Sequence, residues 1–295
     1  MTDVYLSTES LSKHYRENAA NDNITVSLPR GKITGFIGRN GSGKTTMIRL
    51  LTGIAFPTTG KIVFEDADAR KHIGAIVESP TFFGGMTAEE NLTYQAKMTG
   101  ADPGKSRELL EAVGLAPGSR KKVKNYSLGM RQRLGIAMAL VGDPELLILD
   151  EPTNGLDPQG MLEMRDFLHK LSREKNITIL VSSHLLGELE RIADNYIFID
   201  KGRIIEQIDA SELEKRLTGR ISVSFASDPK ELAKLMDECV RDGAVSSYEI
   251  SDGRLFIYGP RNYGRLLTAL GQAEITDLKT DGGTLENYYL DRVSE

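Results

Sequence analysis

A short glycine-rich stretch constrains this sequence more than any other feature. Residues 38–46 read Gly-Arg-Asn-Gly-Ser-Gly-Lys-Thr-Thr and fit the pattern G-x-x-x-x-G-K-[ST] without a mismatch. The apolar run 33–37 before it predicts a buried strand, and residues 47–51 after it read as a helix. In such a strand–loop–helix arrangement, consecutive backbone N–H groups can turn inward around a phosphate. The stretch therefore predicts a nucleotide-binding α/β fold.

The side chains of this loop have separate predicted roles. Lys44 supplies a mobile positive charge, and the Thr45 hydroxyl can bind a Mg²⁺ that bridges the last two phosphates. The N-terminus of the following helix adds a partial positive charge. A plain glycine turn is the alternative, and the strand before and helix after the loop argue against it. The predicted phosphate-binding positions are Gly38, Asn40, Gly41, Ser42, Gly43, Lys44, Thr45 and Thr46.

Composition excludes several classes of protein. The 295 residues are 40% hydrophobic and 27% charged, which is ordinary for a globular protein with one large domain and a smaller one. A net charge of −5 makes nucleic acid a poor partner. The longest run without a charged residue, 176–187, is shorter than the ~18 residues of a spanning helix. With no secretory signal and a single cysteine, Cys239, we expect a cytosolic protein whose cysteine is a core residue.

Turn and capping signals divide the chain into regions. Thr87 and Glu90 have the spacing of a helix capping box, and residues 79–142 are mostly helical in pattern. This stretch interrupts a strand-rich plan, so we expect a helical subdomain inserted into a nucleotide-binding core. After residue 220, the order strand, helix, two strands, helix and strand predicts a split βαβ domain. The expected division is 1–219 and 220–295.

Polar residues follow two apolar segments. Residues 146–149 are all apolar and end in Asp150-Glu151, and the run 177–181 leads to His184. An aspartate at a strand end can hold Mg²⁺, and an adjacent glutamate can polarise an attacking water. A histidine there can contact a terminal phosphate, although a lone histidine is more often a structural donor.

Two further segments are candidate nucleotide contacts. Tyr15 lies in the first loop, where its ring could stack on an adenine face or merely pack on the sheet edge. Ser127 and Gly129 lie where a helix N-terminus would present free N–H groups, which suggests a second anion site. Position alone leaves the two roles of Tyr15 equally open.

Taken in order, these segments resemble the ATP-binding cassette of ABC transporters over residues 2 to about 217. The resemblance implies a P-loop NTPase core with an N-terminal antiparallel β subdomain and an inserted helical subdomain, followed by a small C-terminal α+β domain. It rests on six elements: Tyr15 as the adenine-stacking aromatic, residues 38–45 as Walker A, Ser127 and Gly129 within the signature, Asp150-Glu151 as Walker B with its catalytic glutamate, residues 154–157 as the D-loop, and His184 as the switch histidine.

The resemblance also implies an activity and partners. The activity is hydrolysis of ATP to ADP and phosphate, with ATP and Mg²⁺ as cofactors. Lys44, Glu151 and His184 would be catalytic, while Thr45 and Asp150 would position Mg²⁺. In this family two cassettes, identical or different, close head to tail so that each ATP lies between Walker A of one and the signature of the other. A separate transmembrane permease would hold the chain peripherally at the inner, cytoplasmic face of the cell membrane.

The sequence departs from the family pattern twice. The signature, commonly Leu-Ser-Gly-Gly-Gln, reads Tyr-Ser-Leu-Gly-Met at 126–130, and keeps Ser127 and Gly129. Glu78 stands where most cassettes have glutamine, and we predict it to be an additional Mg²⁺ ligand. A role for Glu78 as the base, or as a plain surface residue, stays open. The combination resembles exporters of the bacitracin and lantibiotic self-protection type, whose cassettes are separate chains.

These features predict the ATPase subunit of an exporter of a peptide antibiotic or other lipophilic compound. We expect the permease to dock near residues 78–86, with Phe82 and Phe83 lining its groove. One alternative is a soluble cassette ATPase that acts on ribosomes or DNA, although those generally carry two cassettes, a long coiled coil or a basic surface. Another is a regulatory protein without turnover, against which Glu151 and His184 argue.

Overall fold

The chain divides into two compact units, one ending at Asp209 and the other starting at Ala210. The computed structural model describes residues 3–65, 68–184, 186–189, 192–217, 220–251, 253–281 and 285–293. The division lies before the expected 219/220 boundary because a helix at Ala210–Leu217 precedes the first strand of the second unit. Arg216 of that helix donates a hydrogen bond to the Tyr288 hydroxyl at 3.1 Å, which ties it to the end of the chain.

The first unit contains ten strands and six helices within the described residues. Single 3₁₀ turns lie at Ala69–Lys71, Pro103–Lys105 and Val123–Asn125. In chain order the strands and helices are β1 (Val4–Tyr15), β2 (Asn18–Ile24), β3 (Ser27–Pro29), β4 (Ile33–Ile37), α1 (Lys44–Leu51), β5 (Thr59–Phe64), β6 (Ile73–Ile76), α2 (Ala88–Thr99), α3 (Ser106–Ala112), α4 (Leu128–Ala139), β7 (Leu146–Asp150), α5 (Pro158–Lys175), β8 (Thr178–Ser183), α6 (Leu186–Leu189), β9 (Asn195–Asp200) and β10 (Arg203–Asp209).

The central sheet of the first unit has the strand order β10-β9-β4-β8-β7-β6. Strands β9, β4, β8, β7 and β6 are parallel, and β10 joins β9 antiparallel. Every residue of β4, β7 and β8 is buried, as their continuous apolar runs predict for strands covered on both faces. Because parallel strands end at one edge of a sheet, the segments that follow β4, β7 and β8 meet there.

The second sheet of this unit is antiparallel, with the order β2-β1-β3 and with β5 also paired to β1. The sequence predicts strands here at residues 4–6, 24–28 and 61–64, and the last corresponds to β5. The structure extends β1 to Tyr15, which pairs with Asn18 across a two-residue turn. The added residues show no alternation of apolar and polar side chains, so the pattern does not indicate a strand. They form one because pairing with the neighbouring strand supplies the hydrogen bonds of their backbone N–H and C=O groups. Arg16 in the turn has a φ of 56°, in the left-handed region.

The region between β6 and β7 is mostly helical, as predicted. The Thr87 hydroxyl accepts a hydrogen bond from the Glu90 backbone N–H, and the Glu90 carboxylate accepts from the Thr87 N–H, so the predicted capping box is confirmed. The apolar run predicts a helix over residues 134–141, and in the structure this helix, α4, starts six residues earlier at Leu128. The Ser127 hydroxyl caps it by accepting from the Met130 N–H at 3.3 Å, which lets signature residues 128–130 form its first turn.

The second unit is a four-stranded antiparallel sheet with helices. Its elements are α7 (Ala210–Leu217), β11 (Arg220–Phe225), α8 (Pro229–Arg241), β12 (Ser247–Ser251), β13 (Arg254–Tyr258), α9 (Tyr263–Leu270), β14 (Ile275–Asp281) and α10 (Leu285–Val293). From β11 to β14 this is the predicted order, and the sheet order β12-β13-β11-β14 is that of a split βαβ domain. Val223 and Leu255 pack against Leu232, Met236 and other helix residues to form its core. Cys239 is fully buried in that core, as expected.

Candidate nucleotide site

The glycine-rich loop connects β4 to α1 at the carboxyl edge of the central sheet. Gly41 and Gly43 have φ angles of 80° and 108°, which side chains rarely adopt. A Cβ at Gly43 would stand 2.5 Å from the Ala20 carbonyl oxygen of the hairpin strand β2. Met47 and Ile48 of α1 are buried in the core and so fix the start of the helix beneath the loop. The loop is held as a backbone cradle that only glycine allows at these positions.

Lys44 is the first residue of α1 and is buried, with 6% of its surface exposed. Its ammonium donates to the Gly38 carbonyl at 2.6 Å and to the Arg39 carbonyl at 3.3 Å. Burial lowers the pKa of Lys44, and the carboxylates of Glu151 and Asp150 partly oppose that shift. Nζ lies 3.8 Å from Glu151 Oε1. A positive charge is thus held, largely out of water, at the mouth of the loop.

Asp150 is the last residue of β7 and is buried. Its Oδ2 accepts a hydrogen bond from the Thr45 hydroxyl at 3.2 Å, and its Oδ1 accepts from the Ser182 hydroxyl at 2.5 Å. The register of the sheet explains the second contact, because Asp150 is paired with Ser182 of β8. Ser182 was not among the predicted site residues. The carboxylate is therefore fixed next to the threonine with which it was predicted to position Mg²⁺.

Glu151 turns the chain sharply out of the sheet, with a φ of 52°. Its N–H donates to the carbonyl and the hydroxyl of Ser182, at 3.2 Å and 3.1 Å. Its Oε2 lies 2.5 Å from His184 Nδ1. With Lys44 Nζ 3.8 Å from the other carboxylate oxygen, Glu151 stands between the two basic side chains. Non-glycine residues in this backbone region cost of order 1–3 kcal/mol and concentrate at functional sites.

These side chains line one open cleft of about 850 Å³. Tyr15 stands in its wall, 46% exposed, with the Lys13 ammonium 5.0 Å from the centre of the ring. Gly38 and Ser42 are buried and do not line the cleft, and neither do Ser127 and Gly129. The lining residues are Tyr15, Asn18, Ala19, Ala20, Arg39, Asn40, Gly41, Gly43, Lys44, Thr45, Thr46, Glu78, Ser79, Asp150, Glu151, Asn154, His184, Lys201 and Gly202.

Glu78 lines the same cleft but has a partner that the sequence did not predict. Its carboxylate forms an ion pair with Arg49 of α1 and is 59% exposed. Its backbone is left-handed, with a φ of 64°. The sequence predicts Glu78 as an additional Mg²⁺ ligand and gives no sign of this ion pair. The arginine supplies a counter-charge, so Glu78 is neutralised without a metal.

The signature residues lie at the surface in the first turn of α4. Ser127 is exposed and Gly129 is half-buried. The Ser127 hydroxyl is engaged within its own helix by the N–H of Met130. Because neither residue faces the cleft that holds Lys44, one chain does not bring the signature and the glycine-rich loop together.

Two segments that brace the glycine-rich loop were missed by the sequence reasoning. The fully buried Asn21 of β2 donates its side-chain amide to the Gly43 carbonyl at 3.2 Å. In the β9–β10 turn, the Gly202 N–H donates to the Ser42 carbonyl at 2.8 Å, and the Gly202 carbonyl accepts from the Asp22 N–H at 2.8 Å. Neither segment has a sequence signal of its own. Only the way in which strand β2 and the β9–β10 turn fold onto the loop shows their role.

The glycine-rich loop, the carboxylates at the end of β7 and the helical insertion define a class of ATP-binding proteins. Residues 21–154 match the ABC transporter family. The bacitracin transport ATP-binding protein BcrA of Enterococcus faecalis is 42% identical over 287 residues, covering 91% of this chain and 92% of that protein. The chain belongs to the ABC transporter family and is an ATP-binding protein of that family.

Two other proteins are similar over most of their length. The lantibiotic transport ATP-binding protein SrtF of Streptococcus pyogenes is 41% identical over 224 residues, covering 73% of this chain and 97% of that protein. The structure of cbiO1 from Clostridium perfringens, described as part of the ABC transporter complex cbiONQ, superposes with a TM-score of 0.64 at 27% identity, covering 82% of this chain and 98% of that one. The bacitracin transport protein therefore matches a larger share of this chain than the lantibiotic transport protein does.

Among the described helices, none combines the length and the apolarity that are needed to cross a bilayer.

Proposed function

We propose that this chain hydrolyses ATP to ADP and phosphate and that Glu151 directs the attacking water. The observation that carries the proposal is the position of the Glu151 carboxylate, 2.5 Å from His184 and 3.8 Å from the Lys44 ammonium, at the end of a buried strand. A carboxylate there can accept a proton from water as it attacks the terminal phosphate. Lys44 and the backbone N–H groups of residues 41–46 hold the phosphates, and His184 contacts the terminal one.

Mg²⁺ suits the donor set at this site. Thr45 Oγ1 and Asp150 Oδ2 are two oxygen ligands 3.2 Å apart, of the kind that this cation prefers. Within the described residues, no group of three or more His, Cys, Asp or Glu side chains is arranged to hold a metal. Mg²⁺ usually binds to one or two protein oxygens together with water and phosphate, so this pair is sufficient. The metal neutralises charge on the phosphates when ATP is bound.

We also propose that two cassettes form the complete site. Ser127 and Gly129 are accessible at the start of α4 yet do not line the cleft that contains Lys44. A helix N-terminus with exposed N–H groups favours an anion. Head-to-tail pairing would bring this surface onto the ATP held by a second cassette, identical or different. Both nucleotides would then be enclosed.

A membrane subunit is the proposed second partner. A groove of about 540 Å³ lies between β6, residues 79–81, α2 and α4, with Ile54, Val77 and Met138 in its mostly apolar lining. Ile54 is 64% exposed at its rim. The predicted aromatic pair lies beside the groove rather than in it: Phe83 is 50% exposed and makes an edge-to-face contact with Tyr94, 4.9 Å between ring centres. An amphipathic helix of a permease fits an apolar groove of this kind.

The cargo we propose is a peptide antibiotic or a related lipophilic compound, exported through that permease. The bacitracin and lantibiotic transport proteins described above support this assignment. The alternative, a soluble ABC ATPase that acts on ribosomes or DNA, is not favoured, because similar proteins are named for transport and the net charge is −5. The chain would lie at the inner face of the membrane through its permease.

Two experiments test the proposal. Lys44→Ala should weaken ATP binding and abolish phosphate release by the purified chain. An unchanged rate of phosphate release would show that the glycine-rich loop takes no part in the reaction. For the permease, cysteines introduced at Ile54 and Phe83 should crosslink to a copurifying membrane protein. A cysteine at Leu267 of α9, 58% exposed, is the control, and the natural Cys239 is buried. Equal crosslinking at Leu267 would contradict docking at the groove.

A further inference from the structure

Leu128 stands at the signature position where the related pattern has glycine, and its side chain rests on the D-loop of the same chain. It is the first residue of α4 and is 45% exposed. A Cβ placed on Gly155 would overlap Leu128 Cδ2, the tip of that side chain. The leucine therefore packs directly against the Gly155 backbone and would have to move to admit a side chain there.

A second contact runs in the opposite direction between the same two segments. A Cβ on Gly129 would stand 3.3 Å from Leu156 Cδ2, so Leu156 covers Gly129 as Leu128 covers Gly155. Each segment contributes one leucine and one neighbouring glycine. We call these four residues, Leu128, Gly129, Gly155 and Leu156, the leucine–glycine clasp. Two such reciprocal contacts fix both the distance and the register of the segments, because close-packed apolar groups tolerate little displacement.

The clasp connects residues that belong to two different nucleotide sites. On one side, Asn154 lines the ATP cleft of its own chain, and its N–H donates to the Glu151 carbonyl at 3.1 Å. On the other side, Ser127 directly precedes Leu128 and is exposed, on the surface proposed above to meet a second cassette. A displacement of the loop after Glu151 is thus transmitted to the signature through the contact between leucines and glycines.

We propose that Leu128 is a positioning residue that locks the signature to the D-loop of its own chain, so that the state of one ATP cleft sets the placement of the signature that serves the other. The proposal rests on the proposed function, since it concerns how two cassettes close on ATP. The leucine does not line the cleft of its own chain. It acts through its contact with Gly155.

A double-mutant cycle on the full chain tests the clasp. The variants are Leu128→Ala, Gly155→Ala and the pair together, each in a Glu151→Gln background that accumulates the ATP-bound dimer. Leu128→Ala should raise the protein concentration for half-maximal ATP-dependent dimer formation about fivefold, which corresponds to exposing a half-buried leucine. Gly155→Ala should be at least as damaging. For the double variant, the increase in this concentration should be at least threefold smaller than the product of the two single increases. The reason is that removing the leucine opens space for the new methyl group.

Strain at position 155 does not obscure this result. Gly155 has a φ of 75°, which is unfavourable for alanine, but the cost is the same with or without Leu128 and cancels in the cycle. Leu128→Met should restore dimer formation, because methionine adapts its shape to fill the same space. Leu162→Ala on α5, which removes a leucine of similar exposure at 42%, is the matched control and should change nothing.

Three results separate the possible failures. Binding of a fluorescent ATP analogue to the isolated chain should be equal in all variants, because Leu128 does not line the cleft. Additive effects of the two alanine substitutions, or a Leu128→Ala variant that behaves as Leu162→Ala, would overturn the clasp while the ATPase proposal stands. If the Glu151→Gln parent forms no dimer with ATP, the head-to-tail assembly itself is wrong.

Discussion

The carboxyl edge of the central sheet and the first turn of α4 present two contrasting halves of a nucleotide site. At the sheet edge, Lys44 and Asp150 are buried and each is bonded to groups from other elements. In the first turn of α4, Ser127 is exposed and its hydrogen bond stays within its own helix. In the proposed head-to-tail pair, one half is preorganised by the fold, and the other half is a surface that would need a second chain. Substitutions in the first half should therefore lower turnover steeply, whereas substitutions in the second half should act by weakening the assembly of two chains.

The largest effect is expected at the sheet edge. Glu151→Gln should bind ATP normally and lower turnover by ~100-fold or more, the usual scale for losing a general base. The amide keeps the shape of the side chain but no longer accepts a proton. Phosphate release and the ATP-bound dimer should be measured on the same sample. Near-normal phosphate release by this variant would show that Glu151 is not the base. The two halves would then no longer differ in how strongly catalysis depends on them.

At the first turn of α4, Ser127→Ala should reduce turnover about tenfold, since one hydrogen bond to a charged group contributes ~1.5 kcal/mol. ATP binding to the single chain should not change, because Ser127 is outside the cleft. Loss of the helix cap is a separate effect of ~1 kcal/mol on stability. Ser127→Asn is a good cap and serves as the control. Full recovery of turnover by asparagine would show that capping alone explains the loss.

Glu78 tests how complete the preorganised half is. Glu78→Gln should keep the rate within about tenfold of the parent, far less loss than removal of a base, and should require more Mg²⁺ for half-maximal rate. Arg49→Gln should have the opposite effect on Mg²⁺, because it frees the carboxylate that Arg49 now neutralises. Binding of Mn²⁺ followed by paramagnetic resonance gives a readout independent of turnover. If the metal titrations of the parent and the two variants superimpose, Glu78 has no role in binding Mg²⁺.

The smallest effect on turnover is expected at Thr87, a helix cap for which we propose no contact with ATP. Thr87→Ala removes the capping box of α2 and should destabilise the chain by ~1 kcal/mol with less than a twofold change in turnover. Urea unfolding and phosphate release check the two parts of this expectation. The comparison with Ser127→Ala is direct, since both variants lose a hydroxyl cap in the same region. Equal losses of turnover would mean that the signature serine acts only on helix stability.

The buried half of the site was predicted from the sequence, whereas its supports were not. Apolar runs ending in a glycine loop, in Asp150-Glu151 and before His184 indicate strands whose ends meet at one edge, and the structure brings these residues into one cleft. Asn21 and Gly202 carry no such pattern, because their contacts depend on how a hairpin and a turn fold over the loop. The ion pair between Arg49 and Glu78 was likewise invisible, since it joins side chains from separate elements.

For the exposed half, the sequence predicted the motif residues but not the start of the helix or its packing. Capping preferences placed a helix near the signature, yet they did not show that it starts at Leu128. The substitution of leucine for glycine in the signature pattern was visible in the sequence. The reason why Gly155 accommodates it required coordinates, because the two positions are 27 residues apart and meet only through packing.

The left-handed backbone at Glu151 implies that activity and stability are in conflict at this residue. A glycine there would adopt the φ of 52° without the steric cost that a side chain brings. Selection for thermostability alone would therefore favour glycine, and selection for ATP turnover would oppose it. Stabilised variants obtained in a screen blind to activity should accumulate changes at this position, and most of them should be inactive. The strand end of β7 thus marks where a stability-based redesign must be constrained.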